Sequence, residues 1–126
     1  MSVEKDFVPY EEALILKGLG FDEPCLAYWN IDPQLKNPTF NMVKPFEHEW
    51  CLPAPTFSQA FRWFDENTEL MGFVVPSIKE GHFDWLIRID WEEEIECDEA
   101  YSSRIEAELE CLRKLIEIVN ERNLSK

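Results

Sequence analysis

The chain has 126 residues, with 26 Asp or Glu against 12 Lys or Arg, a formal net charge of −14 at pH 7. Apolar residues make up 45% and aromatic residues 13%, enough for one packed domain of residues 1–126, so the charge belongs to a folded body and not to a disordered acidic tail. The balance argues against direct binding to nucleic acid or an anionic membrane, and no apolar run approaches the ~20 residues of a membrane span.

The first residues, Met1 to Val8, carry Glu4, Lys5 and Asp6 and lack the apolar core of a signal peptide, so the expected location is cytoplasmic. Cys25, Cys51, Cys97 and Cys111 form no Cys-x-x-Cys pair and read, in a reducing compartment, as small buried apolar groups.

In chain order, Pro9 opens a helix to about Leu19. Proline is suited to the first turn, and Glu11 and Glu12 favour the positive end of the dipole. Leu14, Ile15, Leu16 and Leu19 leave it almost no polar face, which predicts a largely enclosed helix. Gly20 and Phe21 spell a Schellman end. Cys25 to Ile31 and Phe46 to Leu52 alternate like strands, and the segment 32–45 between them, rich in Pro and Asn, reads as an irregular loop.

Thr56-Phe57-Ser58-Gln59 spells a capping box and starts a helix to about Asn67, with Phe57, Ala60, Phe61 and Phe64 as its buried stripe. Trp63 falls off that stripe. It serves either a second packing surface or an exposed aromatic anchor for a partner.

Gly72 to Pro76 reads as a short strand. From Phe83 onward, Phe83, Trp85, Ile87, Ile89 and Trp91 share one parity, which continues through Ile95 and Cys97. One straight strand over 83–97 would reach roughly 50 Å, too long for this domain, so a break is expected near Glu92 to Glu94. Ser103-Arg104-Ile105-Glu106 is a second capping box and opens a helix to about Asn120. Its apolar arc of roughly 200° is wider than a surface helix requires. Either the rest of the chain covers it or part of it meets a second copy, giving a homodimer through the last helix. The order helix, two strands, helix, two or three strands, helix predicts an α+β domain with a mostly antiparallel sheet packed by helices.

Between Asp90 and Glu99 stand seven acidic residues, Asp90, Glu92, Glu93, Glu94, Glu96, Asp98 and Glu99, and no basic one. If the run is extended, Asp90, Glu92, Glu94, Glu96 and Asp98 project from one face about 6.7 Å apart, roughly twice the ~3.4 Å rise per phosphate of a DNA strand. Such a ribbon would imitate nucleic acid and enter a basic groove on a partner protein. The plainer reading is a solvated edge that discourages stray strand pairing. Metal chemistry has little support. Neighbouring carboxylates on one strand diverge, and His48 and Cys51, with Cys25 or Cys97, lack zinc-ligand spacing. No catalytic signature, glycine-rich phosphate loop or cofactor motif is present.

Three stretches carry a resemblance: Pro9 to Leu14 with Leu19 to Cys25 (PYEEAL and LGFDEPC), Ala54 to Phe64 (APTFSQAFRWF) and Glu106 to Ile116 (EAELECLRKLI). Together they resemble a family of small uncharacterised proteins carried by phages and prophages of gut bacteria. The match covers about a third of the chain, all in or beside the three expected helices. It brings no activity or cofactor, and implies a setting in which small proteins bind host or rival machinery.

The expectation is therefore a non-enzymatic acidic protein that binds and modulates a host or mobile-element protein, one that handles nucleic acid or serves defence. The seven carboxylates of 90–99 and Trp63 are the candidate contact residues. The competing expectations are a self-assembling phage accessory protein and a small-ligand domain with a deep polar cavity.

Overall fold

The computed structural model describes residues 6–29, 35–36 and 52–124. The expected strand over 46–52 and loop over 32–45 lie outside the described residues, except for Leu52 and the pair Leu35–Lys36. Three helices and two small antiparallel sheets follow one another as helix, strands, helix, strands, helix, an α+β arrangement. Backbone contacts group the chain into two compact units, 1–59 and 60–126, with the boundary inside the second helix. The strands thus build two sheets where one was expected.

In the first unit, α1 spans Tyr10–Gly18 with Pro9 as its N-cap. Its end is a Schellman motif: Gly20 takes φ +106°, its N–H donates to Lys17 O at 3.1 Å, and Phe21 N–H donates to Leu16 O at 3.0 Å. The expected enclosure of α1 is not what the fold provides. Ala13 and Leu16 are buried, whereas Leu14 is 50% and Ile15 41% exposed. Leu14, Ile15 and Leu16 are consecutive and stand about 100° apart, so a helix packed on one side turns part of the run outward.

Strands β1 (Ala27–Trp29), β2 (Leu35–Lys36) and β3 (Leu52–Ala54) pair antiparallel in the order β2-β1-β3, with Ala27 opposite Ala54 and Trp29 opposite Leu52. Phe7, Ala27 and Ala54 form a small buried cluster with Trp29 packed against it. Trp29 Nε1 donates to Val8 O at 3.0 Å, and its ring takes the edge of Tyr10 at 6.2 Å. The N-terminal segment is tied down by a Phe7–Thr56 bridge and by Val8 N–H donating to Pro55 O at 2.8 Å.

Helix α2 (Phe57–Thr68) starts on the Thr56 cap, whose Oγ1 accepts the Gln59 N–H at 3.1 Å. Gln59 does not complete the box. Its amide instead donates to Glu23 Oε1 at 3.2 Å and Pro24 O at 3.0 Å, fastening the turn after α1.

In the second unit, β4 (Met71–Pro76), β5 (Phe83–Arg88) and β6 (Glu94–Glu96) form an antiparallel sheet in the order β4-β5-β6. Helix α3 (Arg104–Leu124) lies across β4 and β5, beginning on the Ser103 cap, whose Oγ accepts the Glu106 N–H at 3.2 Å. Gly72 permits this approach, since a Cβ there would stand 3.0 Å from Cys111 Sγ and 3.1 Å from Leu115 Cδ1. Ala107, Cys111, Leu112, Leu115, Ile116, Ile118 and Val119 are all buried. Most of the wide arc of α3 is thereby covered within the chain, while Ile105 and Leu109 in its first turns are half-buried.

The opposite face of this sheet is open. It carries Met71, Phe73 and Val75 of β4, each between 36% and 38% exposed, with Leu86 and Arg88 of β5 and Glu94 and Glu96 of β6 beside them.

Candidate protein-binding surface

The acidic run forms the tip and outer strand of the β5–β6 hairpin. Strand β5 ends at Arg88 because the chain turns at Asp90. One carboxylate oxygen, Oδ1, accepts the N–H groups of Glu92 and Glu93, each at 2.8 Å, while Ile89 N–H donates to Glu93 O at 2.9 Å. This is Asx-type turn chemistry, in which a short acidic side chain replaces the glycine or asparagine expected in a hairpin. The chain re-enters the sheet at Glu94, opposite Arg88. The break spans 89–93, overlapping the expected stretch at Glu92 and Glu93 but beginning earlier, at Ile89.

This geometry overturns the regular comb of carboxylates. Asp90 points at its own backbone, Glu92 and Glu93 lie in the turn, only Glu94 and Glu96 stand on a strand, and Asp98 and Glu99 follow in a bend. Glu94 Oε2 is also paired with Arg88 Nη2 at 3.2 Å, side chains 35% and 53% exposed, where such a pair adds about 1 kcal/mol at most. Glu92, Glu93, Glu96, Asp98 and Glu99 remain exposed and without an ion pair among the described residues. No phosphate-like spacing survives, but a dense negative patch does.

Trp63 is not an exposed anchor. It is 6% exposed and meets Phe64 edge-on at 5.1 Å. Among the described residues the exposed indole is Trp91, at 98%, on the tip of the turn between Asp90 and Glu92. Parity grouped Trp91 with the inward residues of β5, and that grouping lapses once the turn begins. The signal that identifies it is Asp90 followed by two residues whose N–H groups it can accept.

Beside the turn, Glu69, Met71, Arg88, Ile89, Asp90 and Trp91 line a cleft of about 360 Å³. A larger open cleft, about 770 Å³, lies where the ends of α2 and α3 meet and includes Glu66, Glu69 and Glu121; Arg122 Nη1 there donates to Thr68 O at 3.0 Å. Among the described residues no three His, Cys, Asp or Glu side chains gather to hold a metal ion. His48 and Cys51 lie outside the described residues.

Burial, helped by the Glu23 carboxylate, pushes the Cys25 thiol up to about 12, and burial does the same to Cys111. Both are therefore neutral thiols near pH 7 and poor nucleophiles. Cys97, half-buried just past β6, accepts the Trp85 backbone N–H at 3.4 Å and donates to Asp84 Oδ1 at 3.8 Å. No helix is long and apolar enough to cross a membrane among the described residues. Comparison with family models, curated proteins and solved structures finds no match.

Proposed function

We propose that this chain is a non-enzymatic, phage-type binding protein that acts in the host cytoplasm, where its acidic hairpin occupies a basic groove on a host or mobile-element protein that handles nucleic acid or serves defence. The observation that carries the reading is Trp91, an indole fully in water amid unpaired carboxylates. An exposed Trp forgoes the burial of some 150–250 Å² of largely apolar surface, so a cost is being borne at this tip. Aromatic anchors inside a charged rim are the usual composition of a protein hot spot, and a negative field draws a basic partner in from a distance. Recognition here rests on the summed charge and the indole, not on imitation of phosphate spacing. The phage setting rests on the resemblance of the three helical stretches.

The test is affinity capture from a host lysate at about 50 mM and about 500 mM salt, across which the screening length falls from roughly 14 Å to 4 Å. The expected result is a basic protein held at low salt and released at high salt. It is lost by Trp91→Ala and by the triple reversal Glu92→Lys, Glu93→Lys, Glu96→Lys, with circular dichroism unchanged. Capture that is equal at both salts and indifferent to the reversal overturns the reading.

A further inference from the structure

The two outer strands of the β4-β5-β6 sheet are protected very differently. Strand β6 is three residues long and carries Glu94 and Glu96, charges of the kind that discourage stray pairing at an edge. Strand β4, Met-Gly-Phe-Val-Val-Pro over Met71–Pro76, is six residues long, carries no charge, and presents Met71, Phe73 and Val75 half-exposed on the open face. Among the described residues no strand pairs with its outer side.

The ladder determines which groups that edge offers. Phe83 exchanges both backbone bonds with Tyr101 at 2.8 Å, and Cys97 N–H donates to Trp85 O at 3.1 Å, so the odd residues of β5 bond away from β4. Its even residues therefore bond towards β4. With Phe73 opposite Leu86, the register turns Met71, Phe73 and Val75 inward for bonding and leaves Gly72, Val74 and Pro76 facing outward. The free edge thus has two N–H donors, Gly72 and Val74, and proline lacks a third.

We propose that β4 pairs antiparallel with β4 of a second copy about a two-fold axis at Phe73, giving a continuous six-stranded sheet. This register places Gly72 opposite Val74 of the second copy and uses all four outward donors. Pro76 falls beyond the paired stretch, and the two Phe73 rings meet at a close, non-hydrogen-bonded position, where aromatic pairs contribute most.

Charge placement selects a second copy over a basic partner at this edge. Strand β4 carries no charge, and β5 sets one carboxylate against it, Asp84 opposite Val75, with Arg88 opposite Met71, whereas the acidic run stands at the far edge. In the paired sheet the two β6 strands stand five spacings apart, about 24 Å, three times the ~8 Å screening length at physiological salt. The self-repulsion of two chains of −14 is thereby kept away from the contact. Five residues per copy, 71–75, form a small interface, so association is concentration-dependent. This inference stands apart from the acidic hairpin and has the opposite salt response.

The test is sedimentation of the full chain over a roughly hundredfold concentration range at low and high salt. The expected result is a doubling of mass at high concentration that persists or strengthens with salt. Phe73→Lys and Phe73→Glu, each facing itself across the axis, are expected to be monomeric when alone and to regain the doubled mass when mixed. A native chain that stays monomeric, or a dimer that survives Phe73→Lys, overturns the proposal, as does a mixture that remains monomeric. Independent of any variant, hydrogen exchange at the Gly72 and Val74 amides is expected to slow as the native chain is concentrated; exchange that does not change with concentration overturns it too.

Discussion

Glu69 turns the chain from α2 into β4 with φ +62°, a left-handed conformation that a side chain with a Cβ adopts at a cost. It occupies the position after a helix where glycine is favoured. Glu69→Gly is therefore expected to stabilise the fold by about 0.5–1 kcal/mol, read as a higher urea midpoint with an unchanged slope. The thiols make a second prediction at this scale. Cys25 and Cys111 rise from 9.0 to about 12 on folding, so the folded state keeps protons that the unfolded state releases. Their contribution to stability is whole below pH 9 and declines as pH rises towards 12. Urea titrations at pH 8 and pH 10.5 should show the decline, and the double variant Cys25→Ala, Cys111→Ala should show less of it. Burial of these two cysteines was readable from composition and context; burial of Trp63 was not, because a residue off one helical stripe can still be covered from another side.

At the scale of the element, most ends were legible, because caps are local chemistry. Gly20 with Phe21, Thr56 with Gln59, and Ser103 with Glu106 all form the expected backbone bonds. The reciprocal halves of the two boxes were not legible. Gln59 turns to Glu23 and Pro24, and Glu106 to Ser102 Oγ at 3.2 Å, each finding a competing acceptor or donor nearby. Length alone required a break after β5, but its position depends on the Asp90 carboxylate. Asp90→Ala should cost about 1 kcal/mol, and should speed amide exchange at Glu92 and Glu93 while leaving α3 protected. Asp90→Asn, which keeps an acceptor oxygen, should retain most of the protection. Alternation carried past Asp90 predicted both a comb of carboxylates and an inward Trp91, and both failed for the same reason: parity has no meaning inside a turn.

For the whole molecule, the α+β class and the order of helices and strands followed from periodicity, whereas the division of strands between two sheets did not. Which strands become neighbours depends on contacts between segments far apart in sequence, and alternation within each segment is silent about its partners. The charge was legible as a sum, but its distribution required the fold: eight acidic residues, Asp84 and the seven of 90–99, lie along one hairpin and the bend after it, with a single guanidinium, Arg88, among them. The exposure of Trp91 at that hairpin gives the protein a built-in optical reporter. Its indole should emit at the red edge of the spectrum, separate from the buried Trp63 and Trp85, and the local field should enrich caesium and repel iodide around it. Caesium should therefore quench that red component more strongly than iodide, Trp91→Phe should weaken it, and any macromolecule that settles over the tip should shift it towards the blue without a label.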